Sequence, residues 1–362
     1  MRFFGIPLLT RTAHGSTNPA QCNNGGPLVS WIRIKLSFAQ ESLSIEMTTS
    51  SIAFLFPGQG SQAVGMGKDL SDNYQVARRT FEEADDALGY KLSRVCFEGP
   101  EEKLKLTEIT QPAILTASIA AWRVLQEKGL TPDFVAGHSL GEYSAHVAAG
   151  TLTFADAVRT VRNRGRYMQE AVPVGVGAMA AILGMPAAEV AEVAADAAQG
   201  EVCQAANINS PEQIVISGNT GAVERAVKLA QERGAKKAVS LPVSAPFHCS
   251  LMQPAQDRLA EDLRTLPIKD PSRTVVCNAD AAVVASAEAS REALIRQVTG
   301  TVKWEPSVRL LIDAGASLFI EVGPGKVLWG LMRQIDRSKT CLTVGDEASL
   351  QKTLTQVAAL AA

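Results

Sequence analysis

Between residues 174 and 243 the hydrophobic pattern reads strand, helix, strand, strand, helix, strand, and that order constrains the fold more than any other feature of the chain. The segments are 178–184, 187–198, 202–208, 213–217, 220–233 and 236–243. Six elements in this order form a split β-α-β unit, the ferredoxin-like pattern. Outside the block the rhythm differs. A strand at 52–56 enters a glycine-rich turn, helical periodicity follows at 74–88 and 111–128, and a strand at 134–136 precedes helices at 142–149 and 154–170. After the block come helix 250–265, strand 274–277, helices 290–299 and 305–314, strand 318–322, a Gly-Pro-Gly turn and a final helix pair. Strands alternating with helices argue for a parallel α/β core. The expectation is one large α/β core, 47–172 and 245–362, holding a small ferredoxin-like subdomain at 173–244.

The first 46 residues fit neither part. No acidic residue precedes Glu41, while Arg2, Arg11, Arg33 and Lys35 are basic. We expect this leader to be disordered or not native, with translation beginning at Met47; the alternative is a cleaved organellar presequence. An uncharged run at 171–188 nears the length of a membrane span. Pro173, Gly175, Gly177, Gly184 and Pro186 cut it into loop, strand and turn, so no membrane helix is expected. The formal net charge of −2 gives no global attraction to nucleic acid or an anionic surface. Six cysteines without a C-x-x-C or Cys/His cluster predict a reduced, cytoplasmic protein with no metal site.

The sharpest chemical signal is Gly137-His-Ser-Leu-Gly141, directly after a strand and before a helix. Small residues on both flanks allow the strained turn that exposes a nucleophilic serine, Ser139. The same turn aims the N–H of Leu140 at an oxyanion. A serine needs a base, and the chain holds four histidines. His14 lies in the leader, His138 adjoins the nucleophile, and His146 sits roughly 10 Å along the following helix at about 1.5 Å per residue. His248 remains, in Ser244-Ala-Pro-Phe-His248, where the inserted block hands back to the core. No Asp stands out to orient it, so a backbone carbonyl is the expected partner.

Gly58-x-Gly60-x-x-Ala63 fits a loose dinucleotide fingerprint, but the segment carrying Glu82 and Glu83 at the required distance is helical rather than a strand. A nucleotide site is rejected. The turn offers instead a second oxyanion donor, the N–H of Gln59. Gly323-Pro-Gly-Lys326 lacks Walker spacing and reads as a turn. On the helix 154–170, Arg159, Arg162 and Arg166 oppose the apolar face, and with Lys236 and Lys237 they read as solvated positions. Arg164 lies at the edge of the buried side. It either snorkels to water or grips a carboxylate with two parallel hydrogen bonds.

With Phe56-Pro-Gly-Gln-Gly-Ser-Gln62, Gly137-His-Ser-Leu-Gly-Glu142, Pro246-Phe-His248 and Glu321-Val-Gly-Pro-Gly325, the chain resembles malonyl-CoA:acyl-carrier-protein transacylases over about 47–360. The resemblance implies a hydrolase-like core with a ferredoxin-like insert. It also implies a ping-pong transfer through a malonyl-serine on Ser139, with His248 as base and acid and the Gln59 and Leu140 N–H groups as oxyanion hole. Arg164-Gly-Arg-Tyr-Met168 matches the family's R-G-x-x-M, whose arginine holds the malonyl carboxylate. Asn209 matches a position lining the acyl pocket, Gln297 the residue whose carbonyl orients the histidine, and Phe247 a malonyl-selecting position. The implied partners are malonyl-CoA and holo acyl carrier protein, which brings its own phosphopantetheine. No cofactor, metal, nucleic acid or membrane is implied, and a cytoplasmic monomer serving fatty-acid elongation is expected. The rivals are a freestanding polyketide-pathway acyltransferase, a serine thioesterase or esterase, and a non-catalytic acyltransferase scaffold.

Overall fold

Ile52-Ala-Phe-Leu-Phe56 is apolar on both faces, the signature of a parallel strand covered on both sides. In the structure, a computed structural model that describes residues 51–361, this run is β1, Ser51–Phe56, buried from Ala53 onward. The leader 1–46, with His14, Cys22 and the expected start at Met47, lies outside the described residues. Alternate β1 side chains enter different cores: Phe54 and Phe56 join one, Ala53 and Leu55 the other. A two-residue period thereby commits the sheet to helices on both faces.

The other strands are β2 (Phe134–Gly137), β3 (Gly177–Leu183), β4 (Cys203–Ser210), β5 (Gln213–Asn219), β6 (Lys237–Ser240), β7 (Thr274–Cys277), β8 (Ala282–Val284), β9 (Ala316–Val322) and β10 (Thr340–Val344). The large sheet has the order β10-β9-β1-β2-β7-β8, parallel except for β8, which folds back antiparallel on β7. The small sheet has the order β4-β5-β3-β6 and is antiparallel throughout. With helices Ala187–Ala198 and Thr220–Glu232 it forms the expected ferredoxin-like insert.

On β5, Ile214 and Ile216 enter the insert's own core, while Val215 faces the large one. One face of the small sheet therefore helps roof the large core. The seam is tight. A Cβ on Gly177, where β3 starts, would lie 2.3 Å from the Pro246 ring, so only glycine lets the insert approach the loop carrying His248. At the far edge, the N–H of Ile208 donates to the Val302 carbonyl and that of Val302 to Ala206, clipping β4 to the core.

Several expectations need correction. The final helices, Val327–Ile335 and Glu347–Ala361, flank β10, a strand whose short, half-polar run gave little signal. The strand β8 and the helices Lys68–Asn73, Leu92–Glu98 and Glu101–Leu104 were too short to show a period. Helix 111–128 begins earlier, at Thr107, and tolerates Pro112 inside. Helix 290–299 is Ala287–Arg296, and strand 236–243 ends at Ser240. The run 171–188 is divided as expected, and no described helix is long and apolar enough to cross a membrane.

Helix Phe154–Ala171 presses on the start of helix Thr107–Glu127 through Gly165, where a Cβ would lie 2.6 Å from the Thr107 carbonyl oxygen. Gly165→Ala must push the two helices apart. It is expected to lower stability by about 1–3 kcal/mol, read from urea unfolding; an unchanged midpoint contradicts this packing.

Candidate active site

β2 ends at Gly137 and a helix starts at Gly141, leaving three residues to reverse the chain. A Cβ on Gly137 would lie 1.9 Å from the Gly141 carbonyl, and one on Gly141 would lie 2.1 Å from the Phe56 oxygen. Both glycines are dictated by backbone meeting backbone. Ser139 takes the strain, with φ at 52° in the left-handed region, which costs a non-glycine residue about 1–3 kcal/mol. Asn278 holds it there: its Oδ1 accepts the Ser139 N–H at 2.7 Å and its Nδ2 donates to the Gly137 carbonyl at 2.7 Å.

His248 faces this serine across the seam, also left-handed with φ at 59°. Its Nε2 lies 2.8 Å from Ser139 Oγ and its Nδ1 lies 2.9 Å from the Gln297 carbonyl oxygen. A carbonyl only accepts, so Nδ1 carries the hydrogen and the Nε2 lone pair points at the hydroxyl. Burial, and then the positive charge of Arg164, push the imidazole down to about 3. It is therefore neutral and able to accept a proton at any ordinary pH. The elimination that chose His248 agrees with the placement of its competitors. His138 turns away and meets Asn209 Oδ1 through Nε2 at 2.8 Å, and His146 is wholly buried in its helix.

The cavity beside Ser139 has a volume of about 140 Å³ and is lined by Gln59, Leu140, Arg164, Met168, Phe247 and His248 among others. A cavity of about 150 Å³ accepts a molecule the size of benzene, so this one suits a short acyl group. Gly58 brings Gln59 close, since a Cβ there would lie 2.5 Å from the His138 oxygen. Neither Gln59 nor Leu140 spends its N–H on a backbone acceptor among the described residues. Both groups remain available to a developing oxyanion.

Arg164 does not snorkel; the residue is 1% exposed. Its Nη1 donates to Gln111 Oε1 at 2.7 Å, and its Nη2 to Gln297 Oε1 at 2.9 Å and Ser139 Oγ at 3.1 Å. All three partners are neutral, and Nε has none among the described residues. Glu142 acts on Arg164 only through space, beyond ion-pair distance, so an anion entering the cavity meets a guanidinium with no bonded counter-charge. Burial pushes its pKa down, yet a guanidinium keeps its proton in proteins.

One placement differs from expectation. Asn209 does not line the cavity; it stands behind His138, while Asn207 takes the wall. The register of β4 shifts between Ala205 and Asn207 and again between Ile208 and Ser210, which undoes simple alternation there. Gln297 has more to do than its carbonyl suggested, because its amide also donates to the Ser139 carbonyl at 2.9 Å. Gln111 and Asn278 had no motif to announce them.

Comparison with known proteins gives the chain its family. A family model described as the acyl transferase domain matches residues 53–358. The chain is 51% identical over 303 residues to a malonyl CoA-acyl carrier protein transacylase of Bacillus subtilis, covering 83% of this chain and 96% of that one. A crystal structure of an acyl carrier protein S-malonyltransferase from Vibrio cholerae matches with a TM-score of 0.83 at 48% identity, over 84% of this chain and all of the other. A malonyl-transacylase solved in complex with its type II PKS acyl-carrier protein matches with a TM-score of 0.83 at 46% identity, over 85% and 100% of the two chains.

The low proton affinity of His248 has a kinetic signature. Labelling of Ser139 by a fluorophosphonate is expected to slow less than about twofold between about pH 7 and about pH 5. A histidine at its ordinary value would slow it roughly 25-fold over that interval, and a loss of that size contradicts the assignment.

Proposed function

The chain belongs to the malonyl-CoA:acyl carrier protein transacylase family, and on that premise we propose how its cavity performs the transfer. The reaction moves a malonyl group from malonyl-CoA to the phosphopantetheine thiol of acyl carrier protein and supplies fatty-acid synthesis. His248 Nε2 removes the proton of Ser139 Oγ as that oxygen attacks the thioester carbonyl. Negative charge developing on the carbonyl oxygen is met by the N–H groups of Gln59 and Leu140. The carbon–sulfur bond breaks, His248 returns the proton to the CoA sulfur, and malonyl remains as an ester on Ser139. The carrier's thiol then enters, gives its proton to His248, and attacks the ester. Collapse of the second tetrahedral intermediate restores Ser139 with that proton. Every group in this sequence comes from the protein or its two thiol substrates, so no resident cofactor is called for.

The observation that carries malonyl selection is Arg164, a buried guanidinium with only neutral partners, 3.1 Å from the nucleophile. A malonyl carboxylate in the cavity supplies the missing charge, and an acetyl group does not. Met168 and Phe247 close the apolar side of the same space. A plain esterase has no use for such a cation beside its nucleophile. We further read the enzyme as a cytoplasmic monomer with no nucleic-acid or membrane partner. The near-neutral charge supports the first of these absences, and five free cysteines among the described residues, four of them buried, support a reducing compartment.

Arg164→Ala is expected to slow malonyl transfer by roughly 30-fold to a few thousandfold, the equivalent of about 2–5 kcal/mol for losing one side of a buried charge pair. Acetyl transfer from acetyl-CoA should change far less. The check is kcat/KM for both acyl-CoAs with holo carrier protein as acceptor. Equal losses remove Arg164 from selection, and release of free malonate in place of carrier loading favours the esterase reading.

A further inference from the structure

Glu142 follows the nucleophile by three residues, inside the first turn of helix Gly141–Ala148, and the reaction above gives it no part. Its side chain is wholly buried and does not line the cavity. One oxygen, Oε2, accepts two hydrogen bonds, from the Asn278 backbone N–H at 3.0 Å and the Gln297 side-chain amide at 2.7 Å. These two acceptor contacts meet the two residues that hold the reacting groups. Asn278 clamps both sides of the elbow through Gly137 and Ser139. Gln297 reaches the Ser139 carbonyl, Arg164 and, through its own carbonyl, His248 Nδ1.

A buried carboxyl could serve by its charge or by its reach. The surroundings favour reach. Oε1 has no hydrogen-bond partner among the described residues, and the nearest basic nitrogen, His146 Nε2, is 3.9 Å away. Burial pushes Glu142 up to about 7 and His146 down to about 4, so the two do not form an ion pair. A proton on Oε1 leaves both contacts to Oε2 in place. Arg164 acts on this carboxyl through space and not as a bonded partner, so the position of the acceptor oxygen weighs more than its charge.

We propose that Glu142 is a positioning residue for the acyl transfer, whose Oε2 aligns Ser139 and His248 through Asn278 and Gln297. This rests on the roles assigned above to Ser139 and His248. The test is single-turnover acylation of the parent enzyme, Glu142→Gln and Glu142→Asp by malonyl-CoA and by acetyl-CoA, with thermal melting alongside. Gln keeps the reach without the charge, and Asp keeps the charge one methylene short. Misplacement by about 1 Å costs a reaction up to about a hundredfold. The expected result is Gln within about threefold of the parent and Asp slower by about ten- to a hundredfold. The Asp loss should be equal for malonyl and acetyl, with KM for malonyl-CoA changed less than about threefold.

The proposal is overturned if Asp is active while Gln is not, since charge then governs. It is equally overturned if Asp matches the parent, or if only malonyl transfer falls, which would confine the effect to Arg164. Should Asp fail to fold, Gln still decides, because a loss beyond about tenfold in a folded Gln variant contradicts the reach argument. A parent enzyme that takes up no malonyl fails at the earlier reading, an outcome distinct from all of these.

Discussion

A guanidinium buried beside the nucleophile is the constraint around which the rest of this site is arranged. Removing a charge from water is costly, and a fold accepts the cost only where the charge is compensated or used. The two terminal nitrogens of Arg164 are met by Gln111, Gln297 and Ser139, which bind them without cancelling its charge. The same positive charge, together with burial, keeps His248 neutral. In the proposed mechanism one residue thus favours an anionic acyl group and helps keep the neighbouring imidazole unprotonated at rest.

Geometry at the site comes from segments that are distant in the chain. The elbow follows β2, the histidine closes the insert, Gln297 follows the helix Ala287–Arg296, and Gln59 sits on the turn after β1. They meet because glycines at 58, 137, 141 and 177 let main chains approach where any side chain would collide. Both central residues of the proton relay, Ser139 and His248, hold left-handed backbone conformations that a free chain would avoid. Strain concentrated at two reacting residues, and sustained by buried amide side chains around them, is the structural counterpart of preorganisation.

Much of this was legible in the sequence, for reasons that can be named. The insert stood out because six short elements changed the hydrophobic period in an unusual order. Ser139 was marked by its flanking glycines and His248 by the scarcity of histidines. Arg164 alone was ambiguous, since a position at the edge of a helical face is consistent with a buried or an exposed head. Contacts that only the fold supplies settle it: Arg164 is buried and bonded to Gln111 and Gln297. Asn278 and Gln111 were not legible, because a lone polar residue carries no periodic signal and its role exists only in contact; Glu142 stood at the end of the elbow motif with no role attached. Asn209 was assigned to the pocket by resemblance alone; in the structure it pairs with His138, and Asn207, two residues earlier on β4, lines the cavity. The strand β10 was missed because Thr340-Cys-Leu-Thr-Val344 alternates too weakly over too few residues.

The central claim is that Ser139 carries the acyl group between two thiols. Mixing the protein with malonyl-CoA, quenching, and mapping the modified peptide by mass spectrometry tests it directly. The expected result is a malonyl ester on Ser139 that disappears when holo acyl carrier protein is added, with the malonyl group recovered on the carrier's thiol. A carrier loaded with no ester ever detected on Ser139, or an ester on another residue, would contradict it.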